Sequence, residues 1–351
     1  MAQAPPASVE WSLFDSSGPQ LAFHVGAVIA GAFYVHGGIS VAGSTQPLNL
    51  LYKFTPAITT GVDDANNGNT GGVWTELTAA NSPHLSHHAC LGITDRYLVV
   101  IGGWTGKQRC SDVFIFDTRA KEWSKPECTG FPSGAGLSSH TATELANGDI
   151  LIIGREGSLR TQRRSGNAFI LRGSVDLRRF CYTDFPIAVA SRSGHTTVAV
   201  RSKIVIIGGR DDRLIEQHAV KPVYHKTESV KPIRSGSNSD LVTSLVAKTN
   251  ALKPLSKIPS GRKNHISIRG DGGILIHGGE TFNGRAREPV ARMYLVKLSP
   301  PTTFYDLGAS KIGRAGHVAV TTTDPNDVYI HGGLGPRNKV TREMFKLAST
   351  F

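Results

Sequence analysis

The chain has 351 residues, 39% hydrophobic and 19% charged, a balance that suits a folded protein and excludes an intrinsically disordered one. Its 39 glycines and 18 prolines ask for many tight turns. The net charge of +12 is uneven (−5 over residues 1–150, +14 over 151–269, +3 over 270–351), so an acidic partner is expected on one sector.

From the N-terminus, MAQAPPASVEWSLFD lacks the basic and long apolar stretches of a secretory signal. No run approaches the ~18 apolar residues of a membrane span. Cys90, Cys110, Cys128 and Cys181 are scattered without CxxC spacing, so neither a disulfide framework nor a zinc site is expected. A soluble, cytoplasmic protein in a reducing compartment follows.

Six times a His is followed 13 to 15 residues later by an apolar run ending on glycine. The histidines are His24, His88, His140, His195, His265 and His317, and the runs are AFYVHGG, YLVVIGG, DILIIGR, KIVIIGG, GILIHGG and DVYIHGG. Self-similarity at one period points to a repeat architecture. Each unit reads as four strands; in the second these are HHACLGI, RYLVVIGG, DVFIFD and EWSKP. We label the four a to d. The apolar b runs suit strands buried on both faces. Strand c follows as LLYKF, DVFIFD, NAFIL, DLVTSLV, ARMYLVKL and REMFKL. Strand d carries Trp74, Trp123, Phe180 with Tyr182, or Phe304 with Tyr305, while the fourth unit lacks an aromatic there. The sixth unit has no strand d, and residues 8–15, with Trp11, are expected to supply it and close the ring. The fold class is therefore all-β, a six-bladed propeller of one domain over residues 1–351. Its blades are expected at about 20–78, 84–126, 136–184, 190–258, 261–307 and 313–347.

Glycine-to-glycine spacings of 65, 52, 54, 70 and 54 place insertions in the two long units. Residues 55–72 are expected between strands c and d of blade one. Residues 210–238 are expected between strands b and c of blade four, a length that is usually functional or disordered.

The pattern of His, double Gly, aromatic and Trp resembles the kelch repeat and spans the whole chain. GLSSHT (136–141), GREG (154–157), TQRRSG (161–166), ASRSGH (190–195) and GGETFNGRAR (278–287) resemble a narrower vertebrate group within that family. The resemblance implies a six-bladed kelch propeller with protein binding as its role. It brings no enzymatic activity with it.

The six repeated histidines lie in six different blades, so a structural hydrogen bond is their expected role. His36, His277 and His331, each just before a double glycine, suggest zinc chemistry. Equivalent positions in neighbouring blades are too far apart to share one ion, so core packing is expected instead. No G-x-S-x-G, H-E-x-x-H, Walker or Asp-box string occurs, and neither catalysis nor a cofactor is expected.

In a propeller the b–c and d–a connections emerge at the same end. The expected b–c connections hold 16 Lys/Arg against 7 Asp/Glu, which is +9 of the total charge. The binding set expected there is Arg155, Arg160, Arg163, Arg164, Arg210, Arg213 and Arg285, with Arg192, Arg262 and Arg314 from the d–a turns. Arginine suits bidentate recognition of carboxylates. The competing reading of the d–a arginines is that they brace neighbouring blades. Ser165, after Arg163 and Arg164, has the look of a basophilic kinase site.

The expected function is a non-enzymatic scaffold that binds an acidic peptide or protein surface. Tubulin tails and axonemal components qualify as partners, in the cytoplasm or in a cilium or flagellum axoneme. The alternative is substrate recognition for a ubiquitin ligase, but no adaptor-binding segment is found. Nucleic acid is disfavoured because aromatic residues do not interleave the basic loops. No small-molecule substrate and no membrane are expected.

Overall fold

A computed structural model describes residues 9–57, 71–154, 168–187, 189–190, 192–200, 203–209, 215–219, 254–270, 273–281, 289–321 and 328–349. They form six blades arranged as a propeller.

Strand β1 (Val9–Asp15) precedes blade one, which is β2 (Val25–Ile29), β3 (Ala32–His36), β4 (Leu51–Pro56) and β5 (Gly72–Glu76). Blade two is β6 (Ala89–Ile93), β7 (Tyr97–Trp104), β8 (Arg109–Asp117) and β9 (Glu122–Ser124). Next come β10 (Glu127–Thr129) and then β11 (Thr141–Glu144), β12 (Ile150–Ile153), β13 (Ala168–Gly173) and β14 (Arg179–Asp184) of blade three. Blade three has a fifth strand that the repeat did not foretell. β10, leaving blade two, runs parallel to β14 with Cys128 opposite Phe180.

Blade four shows β15 (Thr196–Val200), β16 (Lys203–Ile207) and β17 (Ile215–Ala219) among the described residues. Blade five is β19 (Ile266–Gly270), β20 (Gly273–His277), β22 (Arg292–Lys297) and β23 (Thr303–Ala309). A two-residue ribbon, β18 (Arg262–Lys263) with β21 (Glu280–Thr281), lies beside it. Blade six contains β24 (Val318–Thr321), β25 (Val328–His331) and β26 (Met344–Ser349), and β1 pairs antiparallel with β26, Trp11 opposite Leu347.

Blade four corrects the sequence reading. Its third strand is β17, not DLVTSLV, a string that lies outside the described residues. Ile215 sits opposite Ile207 and Ala219 opposite Lys203. The b–c connection therefore spans only residues 208–214, and the chain leaves β17 at the other end of the blade. IEQHA is largely polar. An outer strand needs only one apolar face, however, and β16 fixes the pairing.

The second strand of each blade is its most buried; β3, β12 and β25 are buried throughout. Their β-branched and aliphatic side chains pack against both neighbouring blades. Each of the six junctions has an apolar core, the sixth joining Val320 and Tyr329 of blade six to Phe33 and Val35 of blade one. Each such side chain stabilises by roughly 1.5–3 kcal/mol, so opening any one junction is costly.

The glycine pairs do the same at the centre. At Gly37 φ is +68°, and an added Cβ would meet the Leu85 carbonyl oxygen at 2.3 Å and His88 Cε1 at 2.8 Å. Gly332 closes the ring in the same way, on Leu21 and His24 of blade one. Each blade's repeat His thus packs on the glycine of the blade before it.

Candidate functional site

The b–c and d–a end is built from the inside outward. The residue before each repeat His (Phe23, His87, Ser139, Gly194, Asn264, Gly316) has φ between +52° and +66°. The amide of each donates to the carbonyl of its counterpart in the preceding blade, at 2.7–3.0 Å, and Phe23 N–H donates to Gly316 to complete the circle. Six backbone hydrogen bonds therefore form a closed rosette around the axis. The phenyl of Phe23 lies over Gly316 and stacks on His87 with ring centroids 4.3 Å apart and planes 17° from parallel.

Below the rosette sit the histidines. His36 Nδ1 and His88 Nε2 share a hydrogen bond at 3.1 Å, His277 Nδ1 and His317 Nε2 one at 3.2 Å, and His331 Nδ1 and His24 Nε2 one at 3.1 Å. His195 Nε2 instead meets the Thr141 hydroxyl at 3.2 Å, and His265 Nε2 that of Thr196 at 3.0 Å. The three histidines before the double glycines thus each pair with a different repeat His across a blade junction. Burial pushes His36 and His265 down to about 3, and His140, His277 and His331 to about 4. Burial also lowers His24, His88, His195 and His317 well below the usual imidazole value. These are neutral structural groups.

Around the rosette, the position three residues before the repeat His divides the propeller. It is Leu21, Leu85 and Leu137 in blades one to three, and Arg192, Arg262 and Arg314 in blades four to six. The arginines are 3%, 3% and 6% exposed, almost as buried as the leucines. Arg192 donates through Nη1 to the Gly208 carbonyl at 2.8 Å, and Arg262 through Nη1 to those of Gly278 (2.9 Å) and Arg292 (3.0 Å). Arg262 also lies over the Tyr294 ring at 4.9 Å, and burial lowers its pKa. Arg314 pairs with Glu343 at 3.1 Å. These three were expected to touch a partner. The structure turns them inward as braces, Arg192 and Arg262 onto main-chain carbonyls at or beside the glycine pairs and Arg314 onto Glu343.

The other expected contacts, Arg155, Arg160, Arg163, Arg164, Arg210, Arg213 and Arg285, lie outside the described residues, as does Ser165. Arg210 and Arg213 stay within the b–c connection of blade four. Lys221, Lys226, Lys231 and Arg234 follow Ala219, so the positive excess of the b–c connections falls from +9 to +7.

Described cations exposed at this end include Lys107, Arg337, Lys339 and Arg342 on b–c connections, Arg109 at the start of β8, and Lys257 and Lys311 on the segments leading into blades five and six. Outside the blade sheets, the described carboxylates here are Glu280, paired with Lys263 at 3.3 Å, and Glu343, paired with Arg314. Glu76 and Asp184 stand on the outer strands at the rim. At the opposite end three arginines are matched by acids, Arg96 with Asp117 (2.5 Å), Arg172 with Asp149 (2.5 Å) and Arg178 with Asp176 (3.9 Å), while Arg119, Lys121, Arg179, Lys203 and Arg269 are also exposed there. Among the described residues no cluster of three or more His, Cys, Asp or Glu could hold a metal ion, and no helix is long and apolar enough to cross a membrane.

The sequence reading missed the rosette. Its signal was present: glycine precedes the repeat His in two units, at Gly194 and Gly316, and asparagine in a third, at Asn264. These residue types tolerate a left-handed backbone.

The family model for the Kelch motif matches residues 86–127, the second unit. The chain is 31% identical over 330 residues to human Kelch domain-containing protein 9, covering 90% of this chain and 87% of that one. To the mouse protein of the same name it is 30% identical over 327 residues, with the same coverage. The solved structure of YjhT superposes with a TM-score of 0.63 over 96% of this chain and 97% of that one, at 15% identity, a likeness of fold alone. By this similarity along most of its length, the chain belongs to the Kelch domain-containing protein 9 family of kelch-repeat proteins.

Proposed function

We propose that the protein is a non-enzymatic interaction scaffold whose b–c and d–a end binds an acidic peptide or protein surface. The observation that carries this reading is the excess of cations on the b–c and d–a connections. The exposed cations there stand where the described carboxylates of the connecting segments, Glu280 and Glu343, are already ion-paired. An acidic partner would supply the missing anions, and screening would weaken it. Arg155, Arg160, Arg163, Arg164, Arg210, Arg213 and Arg285 add to this set by their place in the b–c connections. Acidic cytoskeletal surfaces, tubulin tails or axonemal components among them, are the partners this reading favours.

The test is binding of a labelled oligoglutamate peptide to the full chain at rising salt. Reversing Arg164 and Arg210 to Glu is expected to weaken binding at least tenfold and to flatten the salt dependence. Unchanged binding in that double variant removes the basic end as the site.

A further inference from the structure

The rosette narrows what can bind at the centre of this end. Its six amides and six carbonyls are consumed by one another, so it offers neither donors to an anion nor an edge to a peptide backbone. Recognition at the axis must come from side chains, and these are unequal around the circle. Gly194 and Gly316 carry none, and Ser139 and Asn264 carry short polar ones. Phe23 and His87 stand together as one stacked pair.

That pair is held at a cost. A non-glycine residue in the left-handed region is strained and persists only where its surroundings enforce it. Glycine fills the same place in two other blades without that cost. Burial does not repay it fully, because Phe23 and His87 both remain half-exposed. Beside them the main chain of Ser86 pairs with that of Trp104, bringing a half-exposed indole to the same sector, and its Nε1 is satisfied by the Thr45 carbonyl at 2.8 Å. The b–c connection of blade one, residues 37–50, has no charged residue, and its Val41 is 66% exposed. This apolar sector is flanked by Lys107 on blade two and by Arg337 and Lys339 on blade six.

We propose that the acidic partner places an aromatic side chain on the Phe23–His87 stack, with its carboxylates reaching the flanking cations. The proposal rests on the acidic-partner reading and specifies the anchor within it. Aromatic anchors near the centre of a charged rim are where interface energy concentrates, and ring stacking adds directionality to burial.

Three labelled peptides test it by fluorescence anisotropy against the full chain: a glutamate-rich peptide with one central Trp, the same peptide with Ala for Trp, and the Trp peptide with Gln for every Glu. Each is titrated on the wild type and on Phe23→Gly. The variant keeps the rosette, since glycine already occupies that place in two blades. The Trp peptide is expected to bind the wild type about tenfold tighter than the Ala peptide, and that advantage should vanish in Phe23→Gly. An equal affinity of the Trp and Ala peptides for the wild type, including no binding of either, overturns the anchor. So does an advantage that survives in Phe23→Gly. The Gln peptide reads the charge separately: if it binds as tightly as its Glu parent, the acidic reading falls on that arm alone.

Discussion

Gly37 and Gly31 both have positive φ, +68° and +75°, yet they differ in what surrounds them. Nothing lies within 4 Å of a Cβ at Gly31, whereas at Gly37 the Leu85 carbonyl and the His88 ring stand in its way. Gly31→Ala should therefore cost about 1 kcal/mol, from the backbone alone. Gly37→Ala should cost about 3 kcal/mol or more, because a blade junction must also shift. Urea denaturation of the two variants reads the difference; equal losses would mean that the first glycine does not set the blade spacing. Arg262 separates brace from contact in the same way. Arg262→Ala strips a donor from the buried carbonyl of Gly278 and the part-buried one of Arg292 and should cost about 2 kcal/mol in urea denaturation. The folded variant should bind acidic peptide as the wild type does. A weaker affinity with unchanged stability would restore Arg262 to the partner surface.

At the level of the strands and their junctions, the histidines are a shared liability. Nine of them are buried in their neutral form at the blade interfaces. Their folded pKa values lie below the unfolded value near 6.5, so the unfolded chain takes up protons first as the pH falls. The stability they contribute is complete above about pH 6.5 and is lost as the pH falls toward their lowered folded values, about 3 for His36 and His265 and about 4 for His140, His277 and His331. One pH unit below the unfolded value, each such imidazole withdraws on the order of 1 kcal/mol. Together they rival the ~5–15 kcal/mol that holds an ordinary domain. The melting temperature should fall steeply between pH 7 and pH 5.5, with uptake of several protons on unfolding. A flat profile over that window would show that these imidazoles are charged or solvated. Blade four, meanwhile, shows where a strand resists recognition. IEQHA has one apolar residue at its start and pairs through its backbone, whereas DLVTSLV has the apolar pattern of a strand. Pattern reports which segments favour strands, not which of two candidates a neighbour will take.

For the molecule as a whole, the recurring His and glycine of each unit were enough to reveal six blades, the buried second strand of each and the location of the b–c turns. These features repeat because every junction repeats the same packing problem: a ring of imidazoles pressed on glycines that have no room for a Cβ. The positive sector could also be read directly, since charge is additive along the chain. Three-dimensional packing settled the rest. Arg192, Arg262 and Arg314 count as positive in any sum, but their direction depends on partners the fold brings beside them, main-chain carbonyls for Arg192 and Arg262 and the Glu343 carboxylate for Arg314. The insertion after Ala219 leaves from the far end of blade four because backbone pairing, not composition, sets where a strand stops. The rosette joins residues up to 293 positions apart in sequence, Phe23 and Gly316 among them. A local reading sees six unrelated residues; only ring closure makes them neighbours and gives the face its centre.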